Sequence, residues 1–183
     1  REVVLTLGAA PSDEAARQLV AKYRALTFGA TLEQQKDRWR EVLGKVQVRS
    51  PDAAFNLMMN GWLLYQTISC RMWARSGFYQ ASGAYGFRDQ LQDSLTLAHV
   101  MPDQARSHIL LAASRQFEWG DVQHWWLPET GAGVRTRISD DPVWLVYCTA
   151  YYVKLTGDAA ILDEPVRFLT GRSLAKGEHD AFY

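Results

Sequence analysis

The stretch SGFYQASGAYGFRDQLQD, residues 76–93, joins a glycine-punctuated loop to the beginning of a helix. Arg88 and Asp89 stand where the helix begins, and four aromatic residues come just before them: Phe78, Tyr79, Tyr85 and Phe87. Aromatic faces stack on the C–H surfaces of sugars, while guanidinium, carboxylate and amide groups bind sugar hydroxyls. The stretch therefore fits a sugar-binding loop, and it equally fits a core aromatic cluster beside an Arg–Asp ion pair.

Helical patterns lie on both sides of this loop. Residues 53–75 are apolar around so much of the helix circumference that we expect a helix buried on nearly all sides. A second helix is predicted from about Arg88 to Val100, and Pro102 then breaks it and begins a third, which runs to Phe117. Two helices joined by a short break favour an antiparallel helix pair.

Residues 118–139 lack periodicity and are predicted to form a long, functional loop, because their aromatic composition argues against disorder. Asp141 and Pro142 open a last helix over residues 143–155, which ends at Gly157. Helix follows helix, with long loops at every second junction. This order is typical of an α/α barrel, in which helix pairs form two rings and the loops at one end make the active site.

The first fifty residues have a different character. Residues 2–8 form a short β-type run that ends at Gly8, and they are predicted to be a strand of a preceding domain. Ser12 is a candidate cap for the next helix, and a more charged helix is predicted over residues 31–46. We find no secretory signal and no apolar run near the ~20 residues of a membrane-spanning helix. The chain begins without methionine and is interpreted as a piece of something larger.

Charge and cysteine content narrow the possible partners. The formal net charge is zero, with 20 basic and 20 acidic residues, so nothing favours binding to nucleic acid or to an anionic membrane. Cys70 and Cys148 lie in apolar helical patterns, which favours buried free thiols over a disulfide. The four histidines are scattered and neither cysteine has a partner at a metal-ligand interval, so no metal site is predicted.

The tetrapeptide at residues 139–142, Ser-Asp-Asp-Pro, can be interpreted physically. Proline is best tolerated at the first helical position, which makes Asp141 the helix cap and leaves Asp140 just outside, free to project. The alternative is that the whole tetrapeptide is only a capping signal. Asp93 follows Asp89 by four residues on the same helix face, so we expect at least one of the two to bind Arg88 or a sugar hydroxyl.

The stretch at residues 76–93 resembles the carbohydrate phosphorylases of glycoside hydrolase family 94, such as cellobiose and chitobiose phosphorylases. The similarity continues through GDVQHWW at residues 120–126, ISDDPVW at 138–144, TGD at 156–158, LDE at 162–164 and GEHD at 177–180. Within the family, it is most similar to the C-terminal domains of cyclic β-1,2-glucan synthases. The resemblance implies a mainly α fold, a partial (α/α)6 barrel at residues 51–183. It is preceded by the last strand of a β-sandwich at residues 1–9 and by linker helices at residues 10–50.

The resemblance also assigns roles to residues. It implies that Asp140 is the general acid, which needs a raised pKa, with Asp141 as the second choice. Arg88 and Asp89 match positions that line the subsite of the transferred glucosyl unit. The remaining substrate-binding candidates are Tyr85, Gln90, His124, Trp125 and Trp126. Adjacent tryptophans point differently, so we expect one in the core and one in the cleft, and His124 could equally be structural.

The reaction implied is phosphorolysis of β-1,2-glucan, which releases α-glucose 1-phosphate and controls chain length in cyclic glucan synthesis. Inorganic phosphate would be a co-substrate and no cofactor is expected. The phosphate ligands would come from the later half of the barrel, and the parent would be anchored in the bacterial inner membrane with this part on the cytoplasmic face. Gly83 and Ile138 replace an arginine and a tryptophan of the disaccharide phosphorylases. Alternatives are an inverting hydrolase, with Asp89 or Asp93 as base, and a non-catalytic glucan-binding fragment.

Overall fold

The computed structural model describes residues 3–75 and 83–183, which divide into two compact units, Arg1–Gly44 and Lys45–Tyr183. In the first unit, α1 (Asp13–Arg24) is followed by α2 (Phe28–Gly44). The side chain of Ser12 accepts a hydrogen bond from the backbone N–H of Ala15, at 3.3 Å, which confirms Ser12 as the cap. Residues 3–10 form no strand, because a strand needs a neighbour for its backbone hydrogen bonds. Their assignment to a β-sandwich stays a prediction.

The second unit begins with one helical run over residues 53–73, which alternates between two helix types. α3 (Ala53–Leu57) and α4 (Leu63–Gln66) are α-helical, and each is followed by a π-helical segment, Met58–Trp62 and Thr67–Trp73. The Asp52 carboxylate caps the run by accepting a hydrogen bond from the backbone N–H of Ala54 at 2.8 Å. π-Helical turns are rare in proteins as a whole, and those that occur are often found at functional sites.

The prediction that this run is buried on nearly all sides is wrong for the chain as it stands. Three of its apolar side chains are buried: Leu64, Ile68 and Met72. Others are left exposed, including Phe55, Leu57, Trp62 and Trp73. α5 packs against the C-terminal π-helical segment, and its width covers only part of the apolar circumference.

Three helices form the core of this unit: α5 (Phe87–Val100), α6 (Pro102–Ala113) and α7 (Asp141–Thr156). Each packs against the other two. The buried side chains at their contacts are mainly apolar and include Leu91, Leu97, Ile109, Cys148 and Tyr152. α7 ends at Gly157, whose φ of 77° is the left-handed conformation that the sequence predicted for the helix end. A 3-10 turn, Ala159–Asp163, follows.

The long loop predicted for residues 118–139 is largely an antiparallel hairpin, so that prediction is wrong. β2 (Val122–Trp126) pairs with β3 (Gly133–Thr136), and β1 (Tyr85–Gly86) and β4 (Asp180–Phe182) complete a sheet in the order β1-β2-β3-β4. The pairing slips between Gln123 and Trp125, so β2 contains a bulge. A bulge breaks the period-two alternation by which strands are recognised in a sequence.

The cysteine prediction is half right. Both cysteines are free thiols, and Cys148 is buried, where burial raises its pKa to about 12. Cys70 is exposed, because it lies on the uncovered side of the helical run. None of the helices in residues 3–75 and 83–183 is long and apolar enough to cross a membrane. The chain is mainly helical with a small antiparallel sheet, and the arrangement of its helices in two barrel rings stays a prediction.

Candidate active site

The N-terminus of α7 carries the two adjacent aspartates. Asp140 occupies the cap position, with a helical φ of −84°, and its side chain makes no capping hydrogen bond, while Asp141 is the first helical residue. The prediction that Asp141 is the cap is therefore wrong. Asp141 is 0% exposed and its carboxylate is bound elsewhere in the fold, whereas the Asp140 side chain is 51% exposed. The Asp140 side chain projects half-exposed from the helix end, as predicted.

The bulge in β2 determines where His124 lies. His124 is the extra residue between Gln123, which pairs with Arg135, and Trp125, which pairs with Val134. Such an insertion redirects a side chain that regular pleating would send elsewhere, and bulges are common next to active sites. The redirected imidazole places Nδ1 2.8 Å from Oδ2 of the buried Asp141, so that the hairpin is joined to the first turn of α7.

The charge of His124 depends on its carboxylate neighbours. The hydrogen bond to Asp141 raises the pKa of His124, against a smaller opposing effect of burial, and the charges of Asp89 and Asp140 add to the rise. The His124 side chain remains 35% exposed. The sequence left His124 open as a sugar ligand or a structural residue, and the structure gives Nδ1 a structural partner while part of the ring stays accessible.

Arg88 brings the beginning of α5 next to the beginning of α7. Its Nε lies 3.7 Å from Oδ2 of Asp140, and its guanidinium lies over the Trp144 ring at 5.7 Å from the centroid. The side chains of Arg88 and Asp140 are 46% and 51% exposed, so the ion pair is loose and contributes little to stability. Both groups are therefore available to a ligand at the protein surface.

Arg71, which the sequence analysis missed, is the partner of the two acids on α5. Its Nε donates to Oδ2 of Asp93 at 3.1 Å, and its Nη2 lies 3.8 Å from Oδ2 of Asp89. The expected partner of these acids was Arg88 or a sugar, so this prediction needs correction. Arg71 lies in a π-helical segment more than fifteen residues earlier, and no local spacing could have linked it to α5. Burial raises the pKa of Asp93 to about 6, although Arg71 opposes the rise.

Two predicted sugar ligands are instead parts of the core. Gln90 is 0% exposed; its Oε1 accepts a hydrogen bond from Gly86 N–H at 2.5 Å, and its Nε2 donates to Arg71 C=O at 3.4 Å. Trp126 is also 0% exposed and packs against Phe87. Neither side chain has surface to offer a sugar, so both predictions are corrected.

Trp125 and Tyr85 keep some exposed surface. Trp125 packs against Phe182 with ring centroids 6.2 Å apart, so of the two tryptophans Trp126 is the core residue, and a place for Trp125 in the cleft stays a prediction. Tyr85 lies in β1 between the rings of Trp126 and His108, and the Arg75 guanidinium lies 5.2 Å from its centroid. The aromatic residues predicted at positions 78 and 79 lie outside the described residues.

The site as described is thus a patch of opposite charges at the meeting point of α5, α7 and the hairpin. A half-exposed carboxylate, Asp140, stands beside a guanidinium and an imidazole, and a second acid, Asp89, lies one residue further along α5. Such a set can bind sugar hydroxyls and can donate a proton from a carboxyl group. In residues 3–75 and 83–183, no group of three His, Cys, Asp or Glu side chains is placed to hold a metal ion.

The second unit thus combines helices and a small sheet with an exposed acid, Asp140, at a helix N-terminus. The family described as the glycosyl hydrolase 94 superfamily, catalytic domain, matches residues 38–179. The chain belongs to this family, which confirms the resemblance seen in the sequence.

Named relatives agree with this membership. The chain is 54% identical, over its full length, to cyclic beta-(1,2)-glucan synthase NdvB of Rhizobium meliloti (strain 1021), and it covers 6% of that protein. It is 29% identical to N,N'-diacetylchitobiose phosphorylase of Vibrio furnissii, with 88% of the chain and 24% of the relative covered. It is 33% identical to solabiose phosphorylase of Paenibacillus borealis, with 94% of the chain and 21% of the relative covered. The chain thus spans about a quarter or less of the length of these relatives.

Proposed function

We propose that this chain is part of a phosphorylase-like domain that cleaves β-1,2-glucan with inorganic phosphate and releases α-glucose 1-phosphate. Family membership supports a carbohydrate-active enzyme, and the names of the relatives combine a β-1,2-glucan synthase with disaccharide phosphorylases. Within a cyclic glucan synthase, such a reaction would shorten glucan chains and so control their length. The other domains of the parent, including the later half of the barrel, would be its structural partners.

The observation that carries this proposal is the position of Asp140. It projects half-exposed from the N-terminus of α7, 3.7 Å from Arg88, while its neighbour Asp141 is buried and bound to His124. A general acid has to reach the substrate and must be held on a rigid element. The link between Asp141 and His124 fixes the helix end that carries Asp140. We therefore assign Asp140 as the general acid and Asp141 as a positioning residue.

The proposed reaction is a single displacement with inversion. A phosphate oxygen attacks the anomeric carbon of the terminal glucosyl unit from the face opposite the glycosidic bond. That bond breaks, and the Asp140 carboxyl group gives its proton to the departing glycosidic oxygen, which becomes a hydroxyl of the shortened glucan. Arg88 and Asp89 would orient the glucosyl ring through its hydroxyls, and His124 and Trp125 would contact the neighbouring sugar. The phosphate ligands are proposed to lie outside these 183 residues.

A hydrolase on the same scaffold is less well supported. An inverting hydrolase needs a second carboxylate to activate water on the opposite face of the sugar. The internal candidates, Asp89 and Asp93, both face Arg71, and the Asp93 side chain is only 18% exposed and accepts a hydrogen bond from the Arg71 guanidinium. A carboxylate that is engaged by a guanidinium and largely buried has little access to a water molecule on the far side of a sugar. Phosphate, which is already an anionic nucleophile, requires no such base.

The test is to incubate the complete gene product that contains these residues with β-1,2-glucan, with and without phosphate. We expect glucose 1-phosphate to form only with phosphate, as the α-anomer by NMR. Release of free glucose that is independent of phosphate would instead favour the hydrolase. Glucan binding without either product would favour the non-catalytic alternative.

We further propose that this domain lies on the cytoplasmic face of the inner membrane, which protease protection in intact and permeabilised cells would check.

A further inference from the structure

A cavity of about 340 Å³ lies where the turn before β2 meets the end of β3 and the C-terminal segment. This volume is within the range of small-ligand pockets, near its lower end. None of the residues assigned above to the candidate active site lines it. The lining residues come from three separate parts of the second unit: Trp119, Asp121, Arg135, Arg137, Ser173 and Leu174.

Trp119 is an aromatic surface held on a rigid turn. Its side chain is 78% exposed, and within the described part of the chain it stacks on no other ring. The turn beneath it is closed by two backbone hydrogen bonds, from Phe117 N–H to Asp121 C=O at 2.8 Å and from Gly120 N–H to Phe117 C=O at 2.9 Å. Gly120 has a φ of 90°, which favours glycine. An indole has only two rotatable side-chain bonds, so it loses little conformational entropy when a flat ligand stacks on it.

Anchored polar groups surround the indole. Both carboxylate oxygens of Asp121 are bound by the buried guanidinium of Arg135, one of them at 2.7 Å from Nη2, and the Asp121 side chain keeps 23% of its surface exposed. Arg137 is exposed, and its Nη2 donates to the carbonyl oxygens of Leu174 and Ala175 at 2.7 and 3.0 Å. The cavity thus combines a stacking surface with a fixed acceptor and a fixed donor, which is the combination that a pyranose ring requires.

A short segment of the chain joins the cavity to the candidate active site. Arg137 precedes the proposed acid, Asp140, by three residues, so their Cα atoms are separated by at most about 11 Å. Arg137 and Trp119 line the same cavity, so a glucan that runs from Asp140 towards this cavity reaches Trp119 within a few sugar units. A disaccharide would be too short to occupy both places.

We propose that this cavity is a remote subsite, which binds one glucosyl unit of a polymeric glucan by stacking on Trp119 and by hydrogen bonds to Asp121 and Arg137. This assignment rests on the proposed function, because it takes the glucan chain as the substrate. It makes the enzyme selective for long chains over disaccharides. A segment of the parent polypeptide could also cover an exposed tryptophan, and the experiment separates the two occupants.

The experiment compares Trp119→Ala and Trp119→Phe with wild type in the complete gene product. For each protein, KM is measured for long β-1,2-glucan and for the β-1,2-linked disaccharide. We expect Trp119→Ala to raise the KM for long glucan about tenfold relative to the KM for the disaccharide, which is the size of one lost stacking contact. Trp119→Phe should bring this ratio most of the way back to the wild-type value. Phe28→Ala, which removes an exposed aromatic residue of the first unit, should keep the wild-type ratio.

Direct binding keeps the subsite separate from the reaction. The Kd of long glucan is measured by calorimetry without phosphate, so a failure of the proposed phosphorolysis would leave this result standing. Weaker binding by Trp119→Ala at an unchanged melting temperature supports the subsite. Unchanged glucan binding overturns it, and a lower melting temperature with unchanged binding identifies a covering polypeptide segment instead.

Discussion

Asp140 and Asp141 are neighbours in the chain, yet their carboxylates meet opposite environments. Asp141 is fully buried and accepts a hydrogen bond from His124, whereas Asp140 is half-exposed and loosely paired with Arg88. The first is held by protein and the second is free to reach a substrate. Because of this difference, replacing each aspartate by asparagine should have different effects on stability and on activity.

In the complete gene product, Asp140→Asn is expected to reduce phosphorolysis of β-1,2-glucan by about 10²–10⁴-fold, because the amide has no proton to give the departing oxygen. Its melting temperature should stay close to that of wild type, since the side chain is 51% exposed. Asp141→Asn serves as the comparison and should lower the melting temperature as well as the rate. Wild-type turnover by Asp140→Asn together with an inactive but stable Asp141→Asn would reverse our assignment.

His124 should make stability depend on pH on the alkaline side. Its hydrogen bond to Asp141 raises its pKa above the ordinary 6.5. The folded state therefore holds the proton more tightly, and the resulting stability is fully present below pH 6.5 and is lost as pH rises through the folded pKa. Compared with His124→Gln, the melting temperature of wild type should fall as pH rises above 6.5. Parallel curves for the two proteins would show that the imidazole charge does not stabilise the fold.

At the scale of elements, Arg71 fastens the helical run of residues 53–73 to α5 through Asp93 and Asp89. This ion-pair cluster lies beside the candidate site, so the geometry of α5 depends on a helix that is distant in the sequence. Asp93 is the unusual member, because burial raises its pKa to about 6 from an ordinary 3.8.

Asp93 is expected to reduce stability as pH rises from about 4 to 6. An acid whose pKa is raised in the folded state favours folding only while protonated, below its unfolded pKa. Asp93→Asn removes this loss, so its stability relative to wild type should grow by on the order of 2 kcal/mol across that interval. Thermal unfolding at each pH measures it. Asp37→Asn makes the same charge change on the exposed surface of α2 and should show no such trend.

The hairpin depends on a glycine. A Cβ atom at Gly133 would lie 2.1 Å from the carbonyl oxygen of Trp125, within the β2–β3 pairing that positions His124. Gly133→Ala should therefore separate the strands and lower both melting temperature and turnover. Gly29→Ala, at a helical position with nothing within 4 Å, should be neutral or slightly stabilising. Equal melting temperatures for the two variants would show that the hairpin tolerates a methyl group there.

At the scale of the whole molecule, two helical surfaces remain uncovered. The run of residues 53–73 exposes Phe55, Leu57 and Trp62, and α7 exposes Val143 at 63% and Val146 at 70%. A partial barrel, which the resemblance implies for residues 51–183, would leave such surfaces without the later helices that cover them. Exposed apolar surfaces of this kind promote self-association.

The 183 residues alone are expected to self-associate, because these apolar surfaces are exposed. They are also expected not to catalyse phosphorolysis, because the phosphate ligands are proposed to lie outside them. Asp140 would have a proton to give and no bound phosphate opposite it. Light scattering after gel filtration measures the association state, and an assay for glucose 1-phosphate with β-1,2-glucan and phosphate measures the activity. Robust product from the purified chain would show that the phosphate site lies within these residues.

The sequence by itself determined the helices and the candidate acid. The cap at Ser12, the helix end at Gly157 and the helices around the loop are local features, and local spacing is visible in a sequence. The family follows from motifs, which are local too. The free projection of Asp140 was predicted from Pro142 alone, although the cap was assigned to the wrong aspartate.

Only the tertiary structure decided which side chains contact each other and which are buried. It brought Arg71 to Asp93, placed His124 against Asp141 through a bulge, and buried Gln90 and Trp126, which the sequence offered as sugar ligands. These outcomes depend on contacts between residues far apart in the chain, and nothing in local periodicity records them. Burial is likewise a property of neighbours, which is why an apolar helix predicted to be enclosed is half uncovered here.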